Sequence, residues 1–296
     1  MERHTTRGPA ATRRAVAPVR RRRRPPPDIR RHAITAVLLA FGPPLLLLLS
    51  ASLRPPGLPP PAAPPLLPTH VTLAAYAEAL GIGGLGRAAL NSLAVCLVAV
   101  PVSVLVAAWA GFATTRLPRR AAQGVVLLSL TALMVPATAL LVPRFALYRA
   151  LHLTDTLVPL MAPALIATSP LYPLVYYVAF RAVPADLYET ARLAGFGPWR
   201  TWWRVAMPLV RPVTVALATF TFVLTWSNFL DPLLYVYDRD HFTLPVALRS
   251  LSTLDPTDFP VFLAGAVLAT LPALLVFAAA QWYMRGRTGS SEGTVT

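Results

Sequence analysis

Apolar residues gather in six long runs, at 33–53, 88–112, 121–142, 157–180, 213–236 and 259–283, separated by polar stretches. A helix needs about 20 mostly apolar residues to cross a bilayer. Backbone polar groups in lipid must bond within their own segment, so the runs predict six transmembrane helices. No charged residue interrupts the run from Asn91 to Phe112 or that from Phe259 to Met284. Prolines at 43, 44, 101, 136, 170, 173, 232 and 272 predict kinks inside these helices. The organisation that follows is a basic tail at 1–32, a first membrane helix at 33–53 and a proline-rich segment at 54–86. A five-helix core at 87–284 comes next, with a cytoplasmic loop at 181–211, and 285–296 form a short tail. Within 54–86, residues 72–80 predict a short helix with Ala75, Ala79 and Leu80 on one side. The expected fold is an all-α membrane protein.

Charge adds orientation. The chain has 296 residues, a net charge of +15, and no lysine; all 27 basic residues are arginine. With the N-terminus inside, 21 arginines fall on cytoplasmic segments and 6 outside, so the positive-inside rule gives N-in, C-in. The run Arg20–Arg24 has two readings, a nucleic-acid patch or an anchor at an anionic leaflet. The second accounts for the membrane context, and no nucleic-acid partner is expected. Ser50, Ala51 and Ser52 offer a signal-peptide cleavage site, but the apolar run before them exceeds a typical signal core. An uncleaved anchor is the expectation.

Chemistry is sparse. Without lysine there is no phosphate-binding loop of the G-x-x-x-x-G-K-[ST] kind. A single cysteine, Cys96, excludes an internal disulfide. The five histidines are scattered without metal-ligand spacing. Asp238, Asp240, Asp255 and Asp258 cluster outside, where they form a solvated face or hold a cation.

The segment 183–208 is the most informative. Pro184 suits a helix start, with Asp186 and Glu189 near its positive end. Leu187, Ala191 and Ala194 share a face, and Gly195 and Gly197 stop the helix. Pro198 starts a second short helix that Pro208 ends. Two readings stand level on periodicity alone: a docking device projecting from the membrane, or an amphipathic hairpin on its surface that Trp199, Trp202 and Trp203 would suit.

Glu189-Thr190-Ala191, then Gly195, then Val205-x-Met207-Pro208, resembles the E-A-A…G…I-x-L-P loop of inner-membrane permeases of binding-protein-dependent ATP-binding-cassette importers. Thr190, Ala194 and Phe196 depart from that pattern. The resemblance extends to the maltose-type carbohydrate permeases. It takes in Asn91-Ser92-Leu93, Phe112-Ala113 with Arg116-Leu117-Pro118, and Met134-Val135-Pro136 with Pro143. Leu151-His152-Leu153-Thr154-Asp155-Thr156 is similar to L-G-L-x-N-T, with His152 for Gly. Trp226-Ser227-Asn228-Phe229-Leu230 followed by Pro232-Leu233 is similar to W-N-x-F-L-x-P-L. Thr243-Leu244-Pro245-Val246 is similar to T-L-P-V.

The resemblance implies a type I importer transmembrane subunit in a bacterial plasma membrane, carrying a sugar or oligosaccharide. It implies three protein partners besides membrane lipid: a dimer of ATP-binding-cassette ATPases, a second permease subunit and an extracytoplasmic solute-binding protein. No cofactor would be bound by this chain, with ATP on the ATPase, and the chain would not be an enzyme. Glu189, Thr190, Ala191, Gly195, Val205, Met207 and Pro208 would form the ATPase-coupling loop.

Polar residues within spans are solute-path candidates: Asn91, Gln123, Ser169, Asn228, Asp231 and Gln281, with Trp226 and Tyr172, Tyr176 and Tyr177 as aromatic surfaces. Asn228 and Asp231, three apart, share a helical face. A polar helix end or an interhelical hydrogen bond explains the pair equally simply. Importers of this family for non-sugar solutes, ion-coupled carriers and membrane enzymes remain as alternatives. A carrier would show mid-span carboxylates and inverted repeats; an enzyme would show a paired acid and base.

Overall fold

The computed structural model describes residues 27–57, 71–81, 84–251 and 258–288. The Arg20–Arg24 run, most of the proline-rich segment, Asp255 and the last tail lie outside these residues. The chain divides into two units, Met1–Leu45 and Leu46–Thr296. No strand occurs among the described residues.

The helices in order are α1 Pro27–Ser52, α2 Ala74–Leu80, α3 Leu85–Thr115, α4 Arg119–Leu133, α5 Leu141–Ala150, α6 Val158–Met161 and α7 Leu171–Arg181. Then come α8 Ala185–Leu193, α9 Pro198–Thr201, a π-turn over Trp202–Ala206, α10 Met207–Leu209, α11 Arg211–Trp226, α12 Leu230–Tyr235, α13 Leu244–Leu251 and α14 Phe259–Thr288. Four stretches are long and apolar enough to cross a membrane: Thr35–Ser52, Leu85–Thr115, Val158–Arg181 and Phe259–Arg285. Two more exist only as sharply bent pairs.

The bend at Pro136 falls where a proline kink was expected, but it is sharp enough to break the helix. The third run turns by 85° between α4 and the following Ala137–Ala150. Pro136 supplies no N–H and drives Val135 away from helical geometry, so the ladder stops there. The fourth run breaks into α6, a 3₁₀ turn at Ala162–Ile166 and α7, with Ala167 and Thr168 both at positive φ. Pro159, Pro163, Pro170 and Pro173 deprive that run of four donors. The break is bonded internally: Thr168 N–H donates to the Pro163 carbonyl at 2.8 Å, and its Oγ1 bonds Ser103 Oγ of α3. The fifth run ends at Trp226, and α12 follows a break at 227–229. Of the short outer helix, Ala75 and Ala79 are fully buried as expected, whereas Leu80 is exposed.

The core of the second unit follows α3, which packs mainly on α7 and α11. Small residues make the approach possible. Ser103, Ala107, Ala108 and Gly111 are all buried. A Cβ on Gly111 would lie 2.6 Å from Tyr176 Cβ and 2.8 Å from the Pro173 carbonyl. Close backbone contact is the main source of helix association where lipid supplies no hydrophobic drive. A second cluster joins α2, the start of α3, α13, α14 and Trp226. Asn91 Nδ2 donates to the carbonyls of Asp240 and Phe242, and Ser92 Oγ accepts Leu244 N–H at 2.8 Å. The Asn-Ser pair thus pins the outer loop to α3.

Candidate functional site

The loop 181–211 is two rigid helical pieces joined by a capped turn. Helix α8 begins after Pro184, with Asp186 in its first turn and Arg192 in its last, as the helix dipole favours. It ends in a complete Schellman motif. Gly195 sits at φ +74°, its N–H donates to the Arg192 carbonyl, and Phe196 N–H donates to the Ala191 carbonyl at 2.9 Å. Gly197 then precedes Pro198 at the first position of α9. The helix runs one residue past Pro208 and contains a π-turn at Trp202–Ala206. It then turns by 82° into α11.

One face of α8 is fastened to the bundle. Tyr188 Oη donates to the Phe180 carbonyl at 3.0 Å, and Ala191 is buried. The Arg116 guanidinium, from the end of α3, lies 4.9 Å from the Tyr188 ring centre and 4.7 Å from that of Phe112. Burial pushes the Tyr188 phenol above its ordinary pKa, partly offset by Arg116. The other face is bare. Glu189 is exposed and makes no ion pair among the described residues, so the local Glu189–Arg192 pair is not formed. Leu193, one turn on, is 90% exposed.

The remaining loop residues divide by role. Thr190 is exposed and bonds back to the Asp186 carbonyl at 2.8 Å. Met207 packs against the core, and Val205 and Pro208 are half-buried beside the 82° turn. Trp199 and Trp202 do not lie free: they cluster with Trp109 of α3, ring centres 4.5 and 5.4 Å away. The two halves of the loop differ: the α9 half packs its tryptophans on α3, and the α8 half leaves Glu189 and Leu193 exposed. Leu193 and Trp109 escaped the sequence reading, and Arg116 entered it only within a loop pattern, because exposure and long-range packing are not encoded in spacing.

The solute-path candidates are elsewhere. Trp226 is buried, stacks on Phe222 and donates its Nε1–H to the Ala269 carbonyl at 2.8 Å. Asn228 and Asp231 do come together, around the start of α12. Asn228 Oδ1 accepts Asp231 N–H, and Asn228 Nδ2 donates to Asp231 Oδ2. Arg144 of α5 completes the group with a 2.7 Å ion pair to Asp231, both side chains largely buried. Tyr176 Oη donates to Thr214 Oγ1 inside the bundle. Outside the membrane, Asp155, Asp238 and His241 gather within 4.8 Å of one another.

The described residues thus form apolar helices long enough to span a membrane, with a short helix, α8, that leaves one side bare. Residues 70–288 match the family described as binding-protein-dependent transport system inner membrane component, and the chain belongs to it. It is therefore an inner-membrane transport subunit, not an enzyme. It is 30% identical over 203 residues to the lactose transport system permease protein LacG of Rhizobium radiobacter, covering 68% of this chain and 73% of that one. It is 34% identical over 215 residues to the putative ABC transporter permease protein ORF1 of Streptomyces antibioticus, covering 73% and 94%. The diacetylchitobiose uptake system permease protein NgcG of Streptomyces coelicolor is 29% identical over 230 residues, covering 77% and 76%. In fold, it is similar to a chain of a bacterial ABC transporter involved in import of the acidic polysaccharide alginate. The TM-score is 0.72 at 19% identity, covering 86% of this chain and 97% of that one. Family membership removes the self-contained ion-coupled carrier and the membrane enzyme from the alternatives.

Proposed function

We propose that this chain is a permease subunit of an ATP-driven importer for a sugar or oligosaccharide, with α8 as the element that receives the ATPase stroke. The carrying observation is the pairing of a bare Glu189 and Leu193 with a half-buried Tyr188 and a buried Ala191 on one short helix. A stroke applied to the outer face passes through Tyr188 and Arg116 to α3 and through the α9–α11 turn to α11. The Schellman cap at Gly195 keeps that push from being absorbed by the turn. Glu189 offers a charge-assisted bond to a basic residue on the ATPase. ATP binding would then favour one access state through differential contacts at this face.

ATP sits on the partner ATPase dimer in this reading, a second permease completes the pathway, and an extracytoplasmic binding protein delivers solute. Lactose, arabinooligosaccharide, diacetylchitobiose and trehalose appear in the relatives' names, which supports a carbohydrate. Asn228, Asp231 and Trp226 belong to the solute path only if their bonds to Arg144 and Ala269 exchange for solute during transport. Tagged full-length chain, solubilised and captured from its own membranes, should bring down an ATP-binding subunit and a second six-span permease. Its cognate binding protein should gain thermal stability from a member of a sugar panel. Capture of the chain alone, still active in reconstituted transport, would overturn the subunit assignment; stabilisation only by non-carbohydrate solutes would overturn the sugar.

A further inference from the structure

Four tryptophans meet where α3 leaves the membrane. Trp199 and Trp202 stand 4.8 Å apart, both against Trp109, and Trp203 touches Trp202 at 5.8 Å. Single tryptophans at span ends are interface anchors. This group does something else: it walls a groove. One cavity of about 480 Å³ lies between Leu105, Val106, Trp109, Trp199 and Trp202. A second of about 250 Å³ shares the three tryptophans and reaches Arg116. Among the described residues, no acidic side chain lines either one. Trp202 is 2% exposed, yet its Nε1–H has no partner among the described residues. Buried polar groups ordinarily find one.

The groove has a direction. Its walls are wholly apolar beside Leu105 and cationic at Arg116, on one helix. The two are eleven positions apart along the helix, about 16 Å, close to the depth of one hydrocarbon leaflet, about 15 Å. Arg200 and Arg204 are exposed nearby on the same helical segment as Trp199. We propose that the groove binds an anionic phospholipid of the cytoplasmic leaflet, with an acyl chain along Trp109 and Trp199 and the phosphate at Arg116. The match is of length, of graded polarity and of charge, and it goes beyond the transport reading. Arg116 also lies over Tyr188 of α8, so an occupied groove touches the helix proposed to receive the ATPase.

The test uses the assembled importer in phosphatidylethanolamine vesicles doped with phosphatidylglycerol carrying a photoactivatable acyl chain. Adducts mapped by peptide mass spectrometry should fall on 105–116 and 198–203. Unlabelled phosphatidylglycerol should compete about fivefold better than phosphatidylcholine, as one arginine at an anionic surface implies. Arg116→Gln should erase that preference while leaving adducts in place. Ala110→Phe, which fills the groove without touching the arginine, should remove the adducts. Adducts absent from these peptides, as when a neighbouring subunit covers the groove, would overturn the proposal. So would equal competition by the two lipids, a result that needs no variant to fold.

Discussion

His152 and Gly195 occupy equivalent positions. Each follows a helix at positive φ, +54° and +74°, and each is followed by a residue whose N–H reaches back to close the helix: Leu153 to the Tyr148 carbonyl, Phe196 to the Ala191 carbonyl. Left-handed backbone costs a residue with a Cβ about 1–2 kcal/mol relative to glycine. His152→Gly should therefore raise stability by about 1 kcal/mol, and Gly195→Ala, with no atom within 4 Å of the new Cβ, should lower it by a similar amount. Thermal unfolding of the two purified variants checks both signs. The same outer loop holds a pH-sensitive tie. Asp155 Oδ1 accepts N–H bonds from Asp238 at 2.8 Å and Tyr237 at 2.9 Å, which hold its carboxyl below the usual range. A depressed folded pKa gives stability that is present above the unfolded value of about 3.9 and lost as pH falls through the lower folded value. Amide exchange at Tyr237 and Asp238 should accelerate in that acidic window, and Asp155→Asn should make it independent of pH there.

Elements show what the sequence could and could not convey. The six apolar runs were legible because length and hydropathy decide whether a helix can span. Direction was not: Pro136 marks a break, but neither its 85° angle nor the 82° turn into α11 is encoded in hydropathy or length. Within the loop, Gly195 and Pro198 were legible because backbone geometry is local. The Arg116–Tyr188 contact and the exposure of Leu193 were not, since each depends on residues far along the chain. Asn228 and Asp231 were legible as a pair, but their third member, Arg144, lies 87 positions away. The α3–α7 contact yields its own prediction. Gly111→Ala places a Cβ against backbone and should cost about 1–3 kcal/mol, while Gly124→Ala, in open space within α4, should stabilise by up to about 1 kcal/mol. Folded yield in detergent and thermal stability of the two variants separate close packing from general helix propensity.

At the scale of the whole molecule, the excess charge has a place. The cytoplasmic segments carry 21 arginines against 5 acids, and the remaining positions carry 6 against 7, so nearly all of the +15 is orientation charge. Large apolar side chains such as Leu128, Leu275 and Trp282 face outward, as a lipid-embedded surface requires. The absence of lysine is consistent with the proposal that ATP is bound by a separate subunit and its stroke received at α8. That transfer through α8 is the central claim. The direct measurement is solute-stimulated ATP hydrolysis by the reconstituted importer carrying Glu189→Lys. Losing one charge-assisted contact and gaining a repulsive one should cut stimulation about tenfold or more, with membrane insertion of the chain unchanged. Full stimulation in the variant would contradict the account.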